Sequence, residues 1–135
     1  MPERRIALFC CENSGYPAFE ALEEVKLREA VELIRLPCSG KVEVGHILKV
    51  LEQGYEGVLV LGCPLENCTY LRGSHRASRR VQAARGILAA VGMRPQIVQM
   101  SFVSSVDAHE AGEAIRRMLD ELSGTAAEVR GRSGA

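Results

Sequence analysis

An excess of charge of either sign is absent: 17 lysines and arginines stand against 17 aspartates and glutamates over 135 residues. That balance leaves no overall attraction to nucleic acid or to an anionic membrane surface, and Arg130 and Arg132 alone make no nucleic-acid arm of the C-terminal end. Long apolar runs are missing too. None approaches the ~18 to 20 residues of a membrane span, and the apolar run from Ile6 to Phe9 meets Cys10, Cys11 and Glu12 at once, too short for a signal peptide. The chain is therefore expected to be soluble and cytoplasmic, without a membrane span or a nucleic-acid partner. Also lacking are a nucleophile elbow, a phosphate loop and a pair of catalytic carboxylates. Gly57 and Gly62 only flank a strand and are not spaced for a pyrophosphate turn, which excludes a dinucleotide fingerprint. His46, His75 and His109 share no metal-ligand spacing.

What is present is the composition of one folded domain, 47% hydrophobic and 25% charged, long enough to bury roughly two-thirds of the surface its unfolded form exposes. The apolar pattern alternates strands with helices. Strands are expected over 5–11, Val31 to Leu36, Gly57 to Leu61 and Gln96 to Val103, the last more amphipathic and so nearer an edge. Helices are expected from Ala18 to Glu29 after Pro17, with Phe19, Leu22, Val25 and Ala30 on one stripe. A second runs from Val44 to Gln53 through Val44, Ile47, Leu48 and Leu51. A third, capped by Ser74, runs to Val91 through Ala77, Val81, Ala84, Leu88 and Val91. The last runs from Ala108 to Leu122 through Ala111, Ala114, Ile115, Met118 and Leu122. Gly54 and Gly92 stand where helix terminators belong. Residues 1–122 then form the domain, and 123–135, small and polar, read as a disordered tail. Strand–helix alternation at this spacing predicts an open, doubly wound, Rossmann- or flavodoxin-like parallel sheet of four strands in the order 2-1-3-4.

The five cysteines all follow strands. Cys10 and Cys11 close the first, Cys38 comes after the second, and Cys63 and Cys68 lie in the loop leaving the third. In a parallel sheet such loops emerge along one edge, and neighbouring strands are ~4.8 Å apart, so the cysteines are expected to meet there. Four thiols on one rim suit a 2Fe–2S cluster, a structural zinc site, or thiol redox and sulfur relay without a metal, with Cys63 or Cys11 carrying the reactive sulfur. Zinc more often takes a Cys-x2-Cys knuckle, which is missing here. Each cysteine could also be a small buried hydrophobe. That reading suits Cys10 best, inside an apolar strand, and suits Cys63 and Cys68 least.

Several blocks in one order carry a likeness to a known family: Ile6-Ala7-Leu8-Phe9-Cys10-Cys11, Cys38-Ser39-Gly40-Lys41-Val42, Gly54 with Gly57 to Cys63, Cys68-Thr69-Tyr70, Gly73 and Arg79-Arg80. Over about residues 5 to 120 the chain resembles the delta subunit of methyl-viologen-reducing hydrogenase. The resemblance implies a 2Fe–2S cluster, and electron transfer from a hydrogenase or a formate or NAD(P)H dehydrogenase module to a heterodisulfide-reductase-like subunit. It implies no catalytic residue of the chain's own. Ser14 stands where members commonly have a further cysteine, and Pro64 where His is frequent. Five cysteines still cover four ligands: Cys38, Cys63 and Cys68 with Cys10 or Cys11, of which Cys11 lies farther out of its strand.

No acidic residue occurs between Asn67 and Val106, a span holding Arg72, His75, Arg76, Arg79, Arg80, Arg85 and Arg94. Beside a cluster of net negative charge, Arg72 and Arg76 would favour the reduced form, and the backbone donors of Ser39, Gly40 and Gly62 would reach its sulfurs. His75 is close enough to Cys68 to donate to a ligand. The arginines equally suit an acidic partner or a solvated helix face.

Overall fold

Two runs of the sequence are buried at every position, Ile6–Cys11 (β1) and Gly57–Gly62 (β3). Such runs arise when a strand is central in a sheet covered on both faces, because neither side of the pleat then meets water. The computed structural model describes residues 5–12, 15–36, 42–62, 73–104 and 106–133, with side chains in 73–75 and 124–133 left aside. In it β1 and β3 pair with each other, and outside them lie Val31–Leu36 (β2) and Val98–Phe102 (β4). The sheet is parallel throughout, in the order β2-β1-β3-β4. The two outer strands are only partly buried, as the amphipathic sequence of β4 implies.

Alternate residues of β1 and β3 feed two separate cores. Ile6, Leu8, Cys10, Leu59 and Leu61 face one side, where they pack with Ala18, Phe19, Leu27, Ala111, Ile115 and Met118. These come from Gly15–Glu20 (α1), Val25–Glu29 (α2) and Ala108–Ser133 (α5). Ala7, Phe9, Val58 and Val60 face the other side, against Ile47 and Val50 of Val44–Glu52 (α3) and Ala77, Val81, Ala84 and Leu88 of Gly73–Ala90 (α4). Helices on both faces make the fold doubly wound. Gly54 and Gly92 adopt φ of +106° and +85°, and each reverses the chain just past a helix.

Four expectations require correction. The helix expected over Ala18 to Glu29 is two short ones, α1 and α2. Arg28 explains the break: its Nη1 donates to the carbonyls of Phe19, Glu20 and Leu22, satisfying the end of α1 from outside, and its guanidinium lies 4.9 Å from the centre of the Phe19 ring. The break rotates Leu27 inward and leaves Val25 63% exposed. Val91 falls in the turn after α4 and is likewise exposed, and Val50 rather than Val44 or Leu48 is the second buried residue of α3. The last helix does not stop at Leu122 but is continuous to Ser133; the stretch beyond holds no proline, and Gly124 and Gly131 are its strong helix-disfavouring residues.

Candidate metal centre

The ladder sets the four strand ends level. Cys11 pairs with Leu36, Cys10 with Leu61, and Gly62 with Phe102, so Cys11, Leu36, Gly62 and Phe102 close their strands side by side at the carboxyl edge of the sheet. Two hydrogen bonds extend the edge by one residue: Glu12 N–H donates to the Leu36 carbonyl at 2.8 Å, and Val103 N–H to the Gly62 carbonyl at 2.9 Å. From Leu36 the chain leads into 37–41 and from Gly62 into 63–72, the segments that carry Cys38, Ser39, Gly40, Cys63, Cys68 and Arg72. These six candidate residues lie outside the described residues, as does Ser14, and the side chain of His75 is not described.

The two cysteines that are described occupy different environments. Cys10 is fully buried in the core beneath α1 and α5, on the same face as its register partners Leu61 and Arg35. The guanidinium of Arg35 in turn stacks 4.0 Å above the centre of the Tyr16 ring and lies 3.5 Å from the Glu12 carboxylate, over this part of the edge. Desolvation pushes the Cys10 thiol well above its ordinary range, with the neighbouring Cys11 acting in the same direction. Cys11, 1% exposed, ends the strand, and the alternation of a strand turns it to the opposite face, that of Phe9. An apolar groove of about 250 Å³ opens on this face, lined by Phe9, Ile34, Leu36, His46, Lys49, Val50 and Gln53.

The basic residues divide as well. Arg76, at the start of α4, is exposed, as is Arg79. Arg80 is half-buried and donates to the Val42 carbonyl at 2.9 Å, with its other terminal nitrogen 3.6 Å from the Glu43 carboxylate. Arg94, read from sequence with the solvated or docking arginines, joins Glu121 of α5 in an ion pair and so belongs to the packing of the domain. His46 is not an idle surface residue. Its Nδ1 accepts from the Glu43 backbone N–H at 3.1 Å while the Glu43 side chain caps the His46 N–H, a reciprocal cap at the start of α3. Glu43 and His46 depart from the usual Ser/Thr-x-x-Glu/Gln pairing of such a cap, so the sequence offered no standard signal for it. Among the described residues no three His, Cys, Asp or Glu side chains converge as a metal site, and no helix is long and apolar enough to cross a membrane.

The family model for the delta subunit of methyl-viologen-reducing hydrogenase matches residues 6–124. The chain belongs to this family. A delta-family relative, the iron-sulfur subunit of the F420-non-reducing hydrogenase vhu of Methanopyrus kandleri, is 34% identical over 118 residues, 86% of this chain and 89% of that protein. The protein of the same name in Methanococcus maripaludis is 30% identical over 124 residues, 90% of this chain and 92% of its own length. A third relative is built differently. It is one polypeptide of the ferredoxin/F420H2-dependent CoB-CoM heterodisulfide reductase of Methanosarcina acetivorans, in which the matching 119 residues are 24% identical and cover 87% of this chain but only 15% of that polypeptide.

Proposed function

We propose that this delta-family chain is an electron-transfer subunit that holds a 2Fe–2S cluster at the carboxyl edge of its sheet. In this reading the cluster takes electrons from a hydrogenase or from a formate or NAD(P)H dehydrogenase module and yields them to a heterodisulfide-reductase-like subunit, in the cytoplasm. The observation that carries the reading is the alignment of strand ends: Cys11 lies beside Leu36, two residues before Cys38, and one position past the pairing of Cys10 with Leu61, while Cys63 directly follows Gly62. Entrances of three cysteine-bearing segments at one edge suit a centre whose usual ligands are four thiolates from separate stretches of chain. The names of the relatives support the assignment, since two are iron-sulfur subunits of hydrogenases and the third carries the matching segment inside a heterodisulfide reductase.

The donor set fits such a group: thiolates are soft ligands suited to iron–sulfur clusters, and Cys38, Cys63 and Cys68 leave one position for Cys11. Cys10, packed among the apolar side chains beneath α1 and α5, serves the core instead. A bound 2Fe–2S cluster supplies one-electron chemistry at a tunable potential. The chain's part is to exclude water below the site with two apolar layers, and to set nearby charge through Arg72 and Arg76 and the backbone donors of Ser39, Gly40 and Gly62. No bond-making step falls to any of its residues.

Anaerobic purification of the full chain, with iron and acid-labile sulfide assays and an absorption spectrum, tests the reading. About two irons per chain are expected, and Cys→Ser replacement at 38, 63 or 68 is expected to abolish them. A colourless zinc protein, or a metal-free protein with one fast-alkylating thiol, would replace the reading with a structural zinc module or a thiol relay.

A further inference from the structure

The sheet fixes where the two cysteine-bearing segments begin, but their far ends need a separate tie. Segment 37–41 ends at Val42, and segment 63–72 ends at Gly73, the first residue of α4. Val42 is fully buried in the same core as Ala77 and Val81 of α4. Its carbonyl receives Arg80 Nη1 at 2.9 Å, and the carboxylate of Glu43 lies 3.6 Å from Arg80 Nη2. Glu43 is itself held by the reciprocal cap with His46 that starts α3. Arg80 stands about 10 Å along the axis of α4 from Gly73, with helix rigid in between. One guanidinium therefore joins the exits of both segments, while the β1–β2 and β1–β3 ladders hold their entrances. Its neighbour Arg79 is exposed.

We infer that Arg80 is a positioning residue, which holds the segments carrying Cys38 and those carrying Cys63 and Cys68 at a fixed separation so that their thiolates grip one centre. The inference rests on the cluster reading above and deepens it. Arg80 meets the Val42 carbonyl and the Glu43 carboxylate. It acts through the Val42 carbonyl and the start of α3, as groups outside the ligand set commonly orient the ligands of a metal site. A side chain that fits both a carbonyl and a carboxylate needs the fork of a guanidinium, and lysine, with a single nitrogen, keeps only part of the tie.

The test compares the full chain with Arg80→Ala, Arg80→Lys and Arg79→Ala, each reconstituted anaerobically with ferrous iron and sulfide. The readouts are iron and sulfide content, the electron paramagnetic resonance signal of the reduced protein, release of iron to a chelator, and far-ultraviolet circular dichroism. Arg80→Ala is expected to release iron about 10-fold faster or more with a broadened signal and unchanged helicity, Arg80→Lys to recover part of the retention, and Arg79→Ala to match wild type. Wild-type retention in Arg80→Ala overturns the inference and leaves the cluster standing. Equal damage from Arg79→Ala also overturns it, since loss of positive charge rather than of the tie would then be the cause. If Arg80→Ala loses helicity, Arg80→Lys at full helicity decides: faster release supports the inference, wild-type release overturns it. A wild-type chain that holds no iron overturns the function proposed above, and this inference with it.

Discussion

At the level of single residues, the two halves of the double cysteine turn to different faces of the sheet. Cys10 and Cys11 are adjacent in sequence and both inaccessible, yet Cys10 belongs to the core under α1 and α5 while Cys11 closes the strand. Replacing Cys10 by alanine removes one sulfur from a packed layer and is expected to cost about 1 kcal/mol in urea unfolding while iron content stays at the wild-type level. Cys11→Ala is expected to lose the iron. Iron loss from the Cys10 variant with retention in the Cys11 variant would reverse their roles. The position of Cys10 inside an apolar run made its burial readable in the sequence. The part of Arg80 was not, because its partners Val42 and Glu43 are nearly 40 positions away and only the packing of α3 on α4 brings them together. Gly15 was equally silent: a Cβ there would fall 2.5 Å from the Leu61 carbonyl oxygen, so only glycine lets α1 begin against the end of β3.

Among the secondary elements, α5 followed its sequence period closely, with all five expected inward residues buried, whereas of the four residues expected to face inward on α3 only Ile47 is buried. The strand order was readable because all-buried runs mark central strands and amphipathic ones mark edges. The break between α1 and α2 was not, since a tertiary side chain, Arg28, ends the first helix rather than any local stop signal. The opposite end of the sheet is tied by Arg5 before β1 and Glu56 before β3, whose side chains form a two-point ion pair at 2.8 and 2.9 Å, while the Glu56 N–H donates to the Arg5 carbonyl. The hydrogen bond from Arg5 holds the Glu56 carboxyl below its usual range. A carboxylate with a lowered folded-state pKa stabilises the fold above the ordinary glutamate range and loses that contribution as pH falls through the lowered value. Because both side chains are substantially solvated, Glu56→Gln is expected to cost only about 0.5 to 1 kcal/mol at pH 7. The difference from wild type should vanish once pH falls below the lowered Glu56 value in paired urea titrations. A gap that persists there would assign the effect to packing.

For the molecule as a whole, the two cores meet through a sheet one strand thick, and the last residue of either core among the described side chains is Leu122. Removing 125–135 is accordingly expected to leave the melting temperature within about 2 °C of the full chain; a larger fall would extend the folded unit beyond Leu122. The likeness to a segment covering 15% of a much longer heterodisulfide reductase polypeptide fits a unit of this kind, one that keeps its own core when joined to others. The family, the parallel order and the gathering of strand ends were legible from a few apolar blocks and their cysteines. Less legible was what ties the far ends of the cysteine segments, since that depends on contacts between helices that share no sequence pattern.

The pleat of β1 has one more chemical result. Successive side chains of a strand leave on opposite sides, whereas a disulfide needs its two Cβ atoms about 3.5 to 4.5 Å apart. Cys10 and Cys11 therefore cannot oxidise to each other while β1 stays paired on both sides, so any disulfide formed at this edge in air must join one of them to a cysteine of another segment.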